Sequence, residues 1–142
     1  MYLACVTDTP DTPLTTDHSM EGTLGFEILE YGAERGRARF AVEDRVRQPF
    51  GIVHGGAYAA LAESLASWCT YEAVRGDGNA AMGQSNFTSF MRPVSEGTVT
   101  AEAHCTHRGR TSWVWEVDFT DDQGRRCATT RVTMAVRPAP GG

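Results

Sequence analysis

The sequence predicts an α+β domain, with one long buried helix wrapped by a single antiparallel sheet of about six strands. Three observations predict it. From Gly55 to about Arg75 the chain is apolar through Ala57-Tyr58-Ala59-Ala60-Leu61-Ala62, Leu65-Ala66 and Trp68-Cys69, without strand-like alternation. Segments on both sides of it instead read as strands, the clearest with the period of two that marks a half-buried one. Helical and strand patterns never alternate along the chain, so parallel βαβ units are not expected.

Residues 1 to about 17 are rich in Thr, Asp and Pro without apolar periodicity, the composition of a flexible arm. The domain is expected over residues 18–138, with 139–142 as a tail. Asp17 to Gly22 is compatible with a helical turn. Leu24 to Tyr31 and Arg35 to Val42 read as paired strands joined by Gly32-Ala33-Glu34. In the second, Ala38, Phe40 and Val42 alternate with Arg37, Arg39 and Ala41. Asp44 to Phe50 is a polar connection. The helix from Gly55 would run about 30 Å at 1.5 Å per residue, and its apolar residues fall on nearly every face, the pattern of a buried helix. Gly76-Asp77-Gly78 stops it. Strands are expected over Ala80 to Phe90, Gly97 to His107, Thr111 to Thr120 and Arg125 to Val136. They are broken at Arg92-Pro93, at Arg108-Gly109-Arg110 and at Asp121-Asp122-Gln123-Gly124, the last a hairpin turn.

Composition narrows the function. No apolar run approaches the roughly 20 residues of a membrane helix, and Met1 to Val6 lacks the basic start of a secretion signal, so a cytoplasmic protein away from membranes is expected. A net charge of −5 argues against a nucleic-acid partner. All 13 basic residues are Arg, a good bidentate ligand for phosphate, so local anion sites stay open. Cys5, Cys69, Cys105 and Cys127 are scattered, with no pairing at metal-ligand spacing; they read as small buried hydrophobes, and no metal is expected.

Two features carry chemistry. Glu63 stands mid-helix beside Leu61, Ala62 and Ala66. A carboxylate buried there costs several kcal/mol unless paired or protonated. Its purpose is either an ion pair with an Arg or outward placement, or general-base or nucleophilic work helped by desolvation. Ser67, one turn on, shares its face and would orient the carboxylate or a water. His54-Gly55-Gly56 opens the helix, where bare backbone N–H groups and the helix dipole suit an oxyanion or polarised carbonyl. His54 and Gln48 are candidate additional donors; the plainer reading is that Gly-Gly lets a strand approach closely. Gly55 and Glu63 are eight residues apart, about 12 Å along one axis. If both act on one carbonyl, Glu63 must come from another subunit, and the active site is shared in a homodimer. Arg92-Pro93 and His107-Arg108-Gly109-Arg110-Thr111-Ser112 place basic groups beside Gly at strand ends, where a phosphate or plain solvent would meet them. Trp113 and Trp115 share a face and read as packing.

Gln48-Pro49-Phe50-Gly51, His54-Gly55-Gly56-Ala57, Leu61-Ala62-Glu63-Ser64 and Ser67 together resemble the hotdog-fold thioesterases of the PaaI-like group. The branch most resembled carries a helix Glu. It contains the 1,4-dihydroxy-2-naphthoyl-CoA, enterobactin proofreading and Arthrobacter-type 4-hydroxybenzoyl-CoA thioesterases. The resemblance extends over about residues 22 to 137, through Arg92, Glu96-Gly97, Gly109, Trp115, Gly124-Arg125 and Val132-Thr133. It implies a hotdog fold, dimers paired into a homotetramer, and hydrolysis of an aromatic or hydroxyaromatic acyl-CoA without a cofactor, coenzyme A being part of the substrate. It further implies that the Gly55 N–H polarises the thioester carbonyl beside His54 and Gln48, that Glu63 of the neighbouring subunit is base or nucleophile, and that Ser67 holds the water. Coenzyme A would pass Gly83, Phe90, Met91, Arg92, Pro93 and the stretch His107 to Ser112. The chain departs from this branch near Arg108 and Arg110 and in the strand after Gly83, regions expected to meet the acyl group and nucleotide. Alternatives are a thioesterase proofreading acyl-carrier protein, a hydratase, which would want a His–acid pair in a different motif, and a non-catalytic acyl-CoA-binding domain, which needs no carboxylate at position 63.

Overall fold

The computed structural model describes residues 18–140. The arm expected over residues 1–17 and the last two residues of the tail lie outside the described residues. The first element is a short helix α1, Met20–Leu24, rather than a turn ending at Gly22. Ser19 sets its start, its Oγ accepting from the Gly22 N–H at 3.2 Å, and Gly25 ends it in the left-handed conformation. The first strand therefore begins at Glu27, three residues later than the expected start at Leu24.

Six strands follow the expected order: β1 Glu27–Tyr31, β2 Arg35–Ala41, β3 Asn79–Phe90, β4 Thr98–Arg108, β5 Ser112–Thr120 and β6 Arg126–Pro138. They form one antiparallel sheet in the order β1-β2-β4-β5-β6-β3. The single long helix, α2, Gly55–Val74, lies on one face. This is the expected hotdog architecture. β1 and β3 are the two edges, and the 12-residue β3 pairs only with β6.

The core lies between α2 and the inward row of each strand. Ala38 and Phe40 of β2, Val99, Ala101 and Ala103 of β4, and Trp113, Trp115, Val117 and Phe119 of β5 are all buried against it. The period-two reading of β2 holds because the arginines between these residues face outward, where Arg39 pairs with Glu27 at 2.6 Å across the sheet. Gly36 makes room for the helix: a β-carbon there would stand 2.5 Å from the Cys69 Sγ. Trp115 is buried with its indole N–H donating to Thr70 Oγ1 at 2.8 Å, and Trp113 stacks against it at 6.4 Å. The two tryptophans are packing residues, as their spacing predicts.

One expectation is corrected. Helix α2 is not buried all round: Ala57, Tyr58, Leu61, Ala62, Leu65, Ala66, Cys69, Thr70 and Val74 face the sheet, while Glu63 is exposed. A sheet covers one side of a helix, and the positions on its other side, Ala59, Ser64, Trp68 and Tyr71 among them, are only partly buried. No helix of the described residues is long and apolar enough to cross a membrane.

Candidate active site

Residues four apart on a helix stack on one face, so Gly55, Ala59 and Glu63 form one ridge. That ridge runs along the inward row of the edge strand β3. Phe90 meets Gly55, where a β-carbon would stand 2.6 Å from the ring's Cζ. Asn86 meets Ala59, its side-chain amide donating to the Ala59 carbonyl at 2.9 Å. Gly83 meets Glu63, where a β-carbon would stand 3.1 Å from the carboxylate Oε1.

Gly83 and Asn86 are an odd number of residues apart, so a regular strand would turn them to opposite faces. The β3–β6 register slips between Gly83 and Ser85, Gly83 facing Met134 and Ser85 facing Thr133. That bulge carries Gln84 as the extra residue and turns both Gly83 and Asn86 to the helix. Ser67 continues the ridge, but its hydroxyl lies 3.9 Å from the Met134 sulfur, over β6.

At the start of α2, His54 is the N-cap and its Nδ1 accepts from the Gly56 N–H at 2.8 Å. The imidazole therefore consumes one of the helix's free N–H groups, and with Nδ1 accepting it carries its proton on Nε2, which stays a donor. Among the described residues nothing accepts from the Gly55 N–H. Gln48 is spent similarly: its Oε1 accepts from the Phe50 N–H, and its own N–H donates to the Ile52 carbonyl at 2.9 Å. That leaves the Gln48 amide NH2 available. The loop is held to the connection between β3 and β4 by the Val53 N–H donating to the Val94 carbonyl at 2.8 Å.

The remaining candidates fall into two places. Met91 and Arg92 follow Phe90 beside the Gly55 end, both N–H groups donating to the Cys127 carbonyl, with the Arg92 and Pro93 side chains exposed. His107 to Ser112 form the β4–β5 hairpin, where the Gly109 N–H donates to the Ser112 carbonyl at 2.9 Å. The Arg108 guanidinium lies over the Trp113 ring, 4.6 Å from its centre. Because Trp113 stacks on Trp115, which bonds Thr70, this hairpin lies beside the C-terminal half of α2. Within one chain it is separate from Gly55. An open depression of about 500 Å³ adjoins it, lined by residues 33–35 and 104–108.

Asn86 and the Phe90–Gly55 contact are invisible to pattern reading. The bulge hides the first by breaking the alternation, and the second depends on where α2 crosses β3. Phe90, at 60% exposure, leaves an apolar surface on the helix side of this edge, and Phe87, at 73%, leaves one on the opposite face.

With the geometry described, comparison with known proteins supplies the family. The sequence matches the Thioesterase superfamily over residues 50–128. The proofreading thioesterase EntH of Cronobacter turicensis is 43% identical over 113 residues, covering 80% of this chain and 82% of that protein. The crystal structure of a Haemophilus influenzae thioesterase superposes with a TM-score of 0.81 at 32% identity, covering 87% of this chain and 85% of that one. A Staphylococcus aureus thioesterase, solved as separate Glu-to-Ala and Gln-to-Ala variants, superposes with a TM-score of 0.80 at 28% and 27% identity. Each match covers 84% of this chain, and 99% and 98% of the staphylococcal chains respectively. A helix over an open six-stranded antiparallel sheet, a matching family and thioesterase relatives over most of its length agree: this chain belongs to the thioesterase superfamily and is a thioester hydrolase of the hotdog fold.

Proposed function

We propose that the protein hydrolyses an aromatic or hydroxyaromatic acyl-CoA to the free acid and coenzyme A, in a site shared between two copies of the chain. The observation that carries this reading is the ridge on α2. The unused Gly55 N–H and the exposed Glu63 carboxylate face the same edge strand, open on its outer side, about 12 Å apart. A second copy joined antiparallel at that edge, with the two-fold axis near Ala59, brings Gly55 of each copy toward Glu63 of the other. Pairing would also cover the exposed edge, which a stable protein does not leave open over such a length.

In this site the thioester carbonyl oxygen accepts from the Gly55 N–H, supported by the positive end of the helix dipole. The partner's Glu63 removes a proton from water as the water oxygen attacks, or attacks the carbonyl itself to give an acyl anhydride that water then hydrolyses. The tetrahedral oxyanion stays on the Gly55 N–H until the C–S bond breaks and the thiolate leaves, taking a proton. Gln48, through its amide NH2, adds a second donor; His54 holds the helix start, and Ser67 holds the water. The staphylococcal relative was altered at a Gln and a Glu fifteen positions apart, the spacing from Gln48 to Glu63 here. Phe90 and Met91 offer an apolar wall to the acyl group, while Gly83, Arg92, Pro93 and the hairpin His107 to Ser112 line the coenzyme A path. The chemistry calls on no metal or cofactor, and the assembly is a cytoplasmic homotetramer of such dimers. Likeness to proofreading thioesterases favours a second reading, with the acyl group carried on acyl-carrier protein and the same mechanism.

The test is thiol release from benzoyl- and naphthoyl-CoA. Glu63→Gln is expected to lose at least about a hundredfold in kcat, the usual contribution of a general base. Retention within a few-fold would overturn the mechanism. Mixing inactive Glu63→Gln with an inactive Gly55 variant should restore partial activity after subunit exchange. Ranking acyl-CoA and acyl-carrier-protein thioesters by kcat/KM separates the two substrate readings.

A further inference from the structure

We propose that Asn86 is a positioning residue for Glu63, acting through the backbone of α2; this rests on the reading of Glu63 as the attacking group. In an α-helix the N–H of each residue donates to the carbonyl four positions back. The carbonyl that receives the Glu63 N–H is therefore that of Ala59, which also accepts from the Asn86 side-chain amide at 2.9 Å. The turn of helix that carries Glu63 is tied to the edge strand at that one oxygen.

Asn86 is itself held in orientation. The Thr88 hydroxyl donates to Asn86 Oδ1 at 2.8 Å, which leaves the amide nitrogen to face Ala59. With its proton used there, Thr88 accepts from the buried Thr130 hydroxyl, 3.0 Å away on β6. A directed chain runs from Thr130 through Thr88 and Asn86 to the helix. It begins on an interior strand, paired on both sides, and ends one turn before Glu63. Without it, β3 is an edge strand, and its backbone bonds to β6 do not fix where α2 sits above it.

The bulge makes the chain possible. Gln84, the extra residue, turns Asn86 inward together with Gly83, so one strand grips the helix at Ala59 and leaves a gap beneath the Glu63 carboxylate. Asn86 does not touch the reacting atoms in this arrangement. Its effect is on where Glu63 stands, so it should appear in kcat and not in substrate affinity.

The experiment compares Asn86→Ala, Asn86→Asp, Thr88→Val and the double variant N86A/T88V. Each is assayed for thiol release from benzoyl-CoA, or from whichever thioester of the panel is turned over fastest. Asn86→Asp keeps the shape but sets an acceptor against the Ala59 carbonyl. Expected are kcat losses of about tenfold for Asn86→Ala and at least as much for Asn86→Asp, with KM within twofold and Tm within a few degrees of wild type. Thr88→Val should lose less, and the double variant should match Asn86→Ala, because the threonine acts only through the amide. The inference is overturned if Asn86→Asp keeps wild-type kcat, if KM rises in place of kcat, or if the Asn86 and Thr88 effects simply multiply. Glu63→Gln is run beside them. If it stays active, the reading of Glu63 fails, and if it is dead while Asn86→Ala keeps wild-type kcat, the positioning role alone fails.

Discussion

The Glu63 carboxylate rests over the bare backbone of Gly83, so near that a β-carbon at position 83 would stand 3.1 Å from its Oε1. A glycine on an exposed edge strand is a poor choice for stability alone, since it forfeits backbone entropy and side-chain packing. On the proposed mechanism it leaves the space in which the carboxylate and a reacting carbonyl meet.

Gly83→Ala tests that space. The added methyl pushes the carboxylate by a few tenths of an ångström and narrows the gap, and small misplacements at a reacting centre are costly. Thiol release should fall roughly tenfold in kcat, about 1.4 kcal/mol of barrier. Tm should hold or rise, because Ala restricts the unfolded chain more than Gly. Unchanged kcat would mean that Gly83 is merely tolerated.

Gly55→Ala meets a different neighbour. Its β-carbon would lie 2.6 Å from the Phe90 ring, while Ala is the better helix former by up to about 1 kcal/mol. The folded protein should survive and lose activity as Phe90 is displaced across the Gly55 N–H. Adding Phe90→Leu to Gly55→Ala should recover part of the rate, an interaction between neighbours that a double-mutant cycle measures. Additive losses would show that the ring does not govern access to that N–H.

Alkaline pH should destabilise the fold through its buried thiols. Burial pushes the Cys69 thiol up to about 11, against roughly 8.5 in an unfolded chain. The folded state holds the proton longer, so stability is full below about pH 8.5 and declines as pH rises toward 11, at up to about 1.4 kcal/mol per unit. Burial raises Tyr58 and Cys127 as well, in the same direction. Urea midpoints taken from pH 7.5 to 10.5 should fall less steeply for Cys69→Ala than for wild type, even though the variant starts lower through lost packing. Parallel slopes would remove Cys69 from the explanation.

Much of this architecture is legible in the sequence because it depends on neighbours along the chain. The alternation Ala38, Phe40, Val42 marks a strand's inner face wherever that strand is placed. The run from Ala57 to Cys69 marks a helix too apolar for the surface, and the eight residues between Gly55 and Glu63 are a fixed distance once that helix forms. The motif from Gln48 to Ser67 carries the family.

Tertiary structure decided what depends on residues far apart in sequence. Glu63 reads as buried, yet it is exposed, since the sheet covers only one side of α2 and the open edge at β3 lies beneath its ridge. His54 and Gln48 read as donors toward substrate, yet both also accept a nearby backbone N–H, that of Gly56 at the helix start and that of Phe50 in the loop. The pairing of Gly83 with Glu63, Asn86 with Ala59 and Phe90 with Gly55 rests on a one-residue slip between β3 and β6. The physical reason is one of range. Helical spacing follows from bonds within the element, whereas strand register and helix crossing follow from packing between segments 20 or more residues apart, where a single extra residue reverses which side chains face the site.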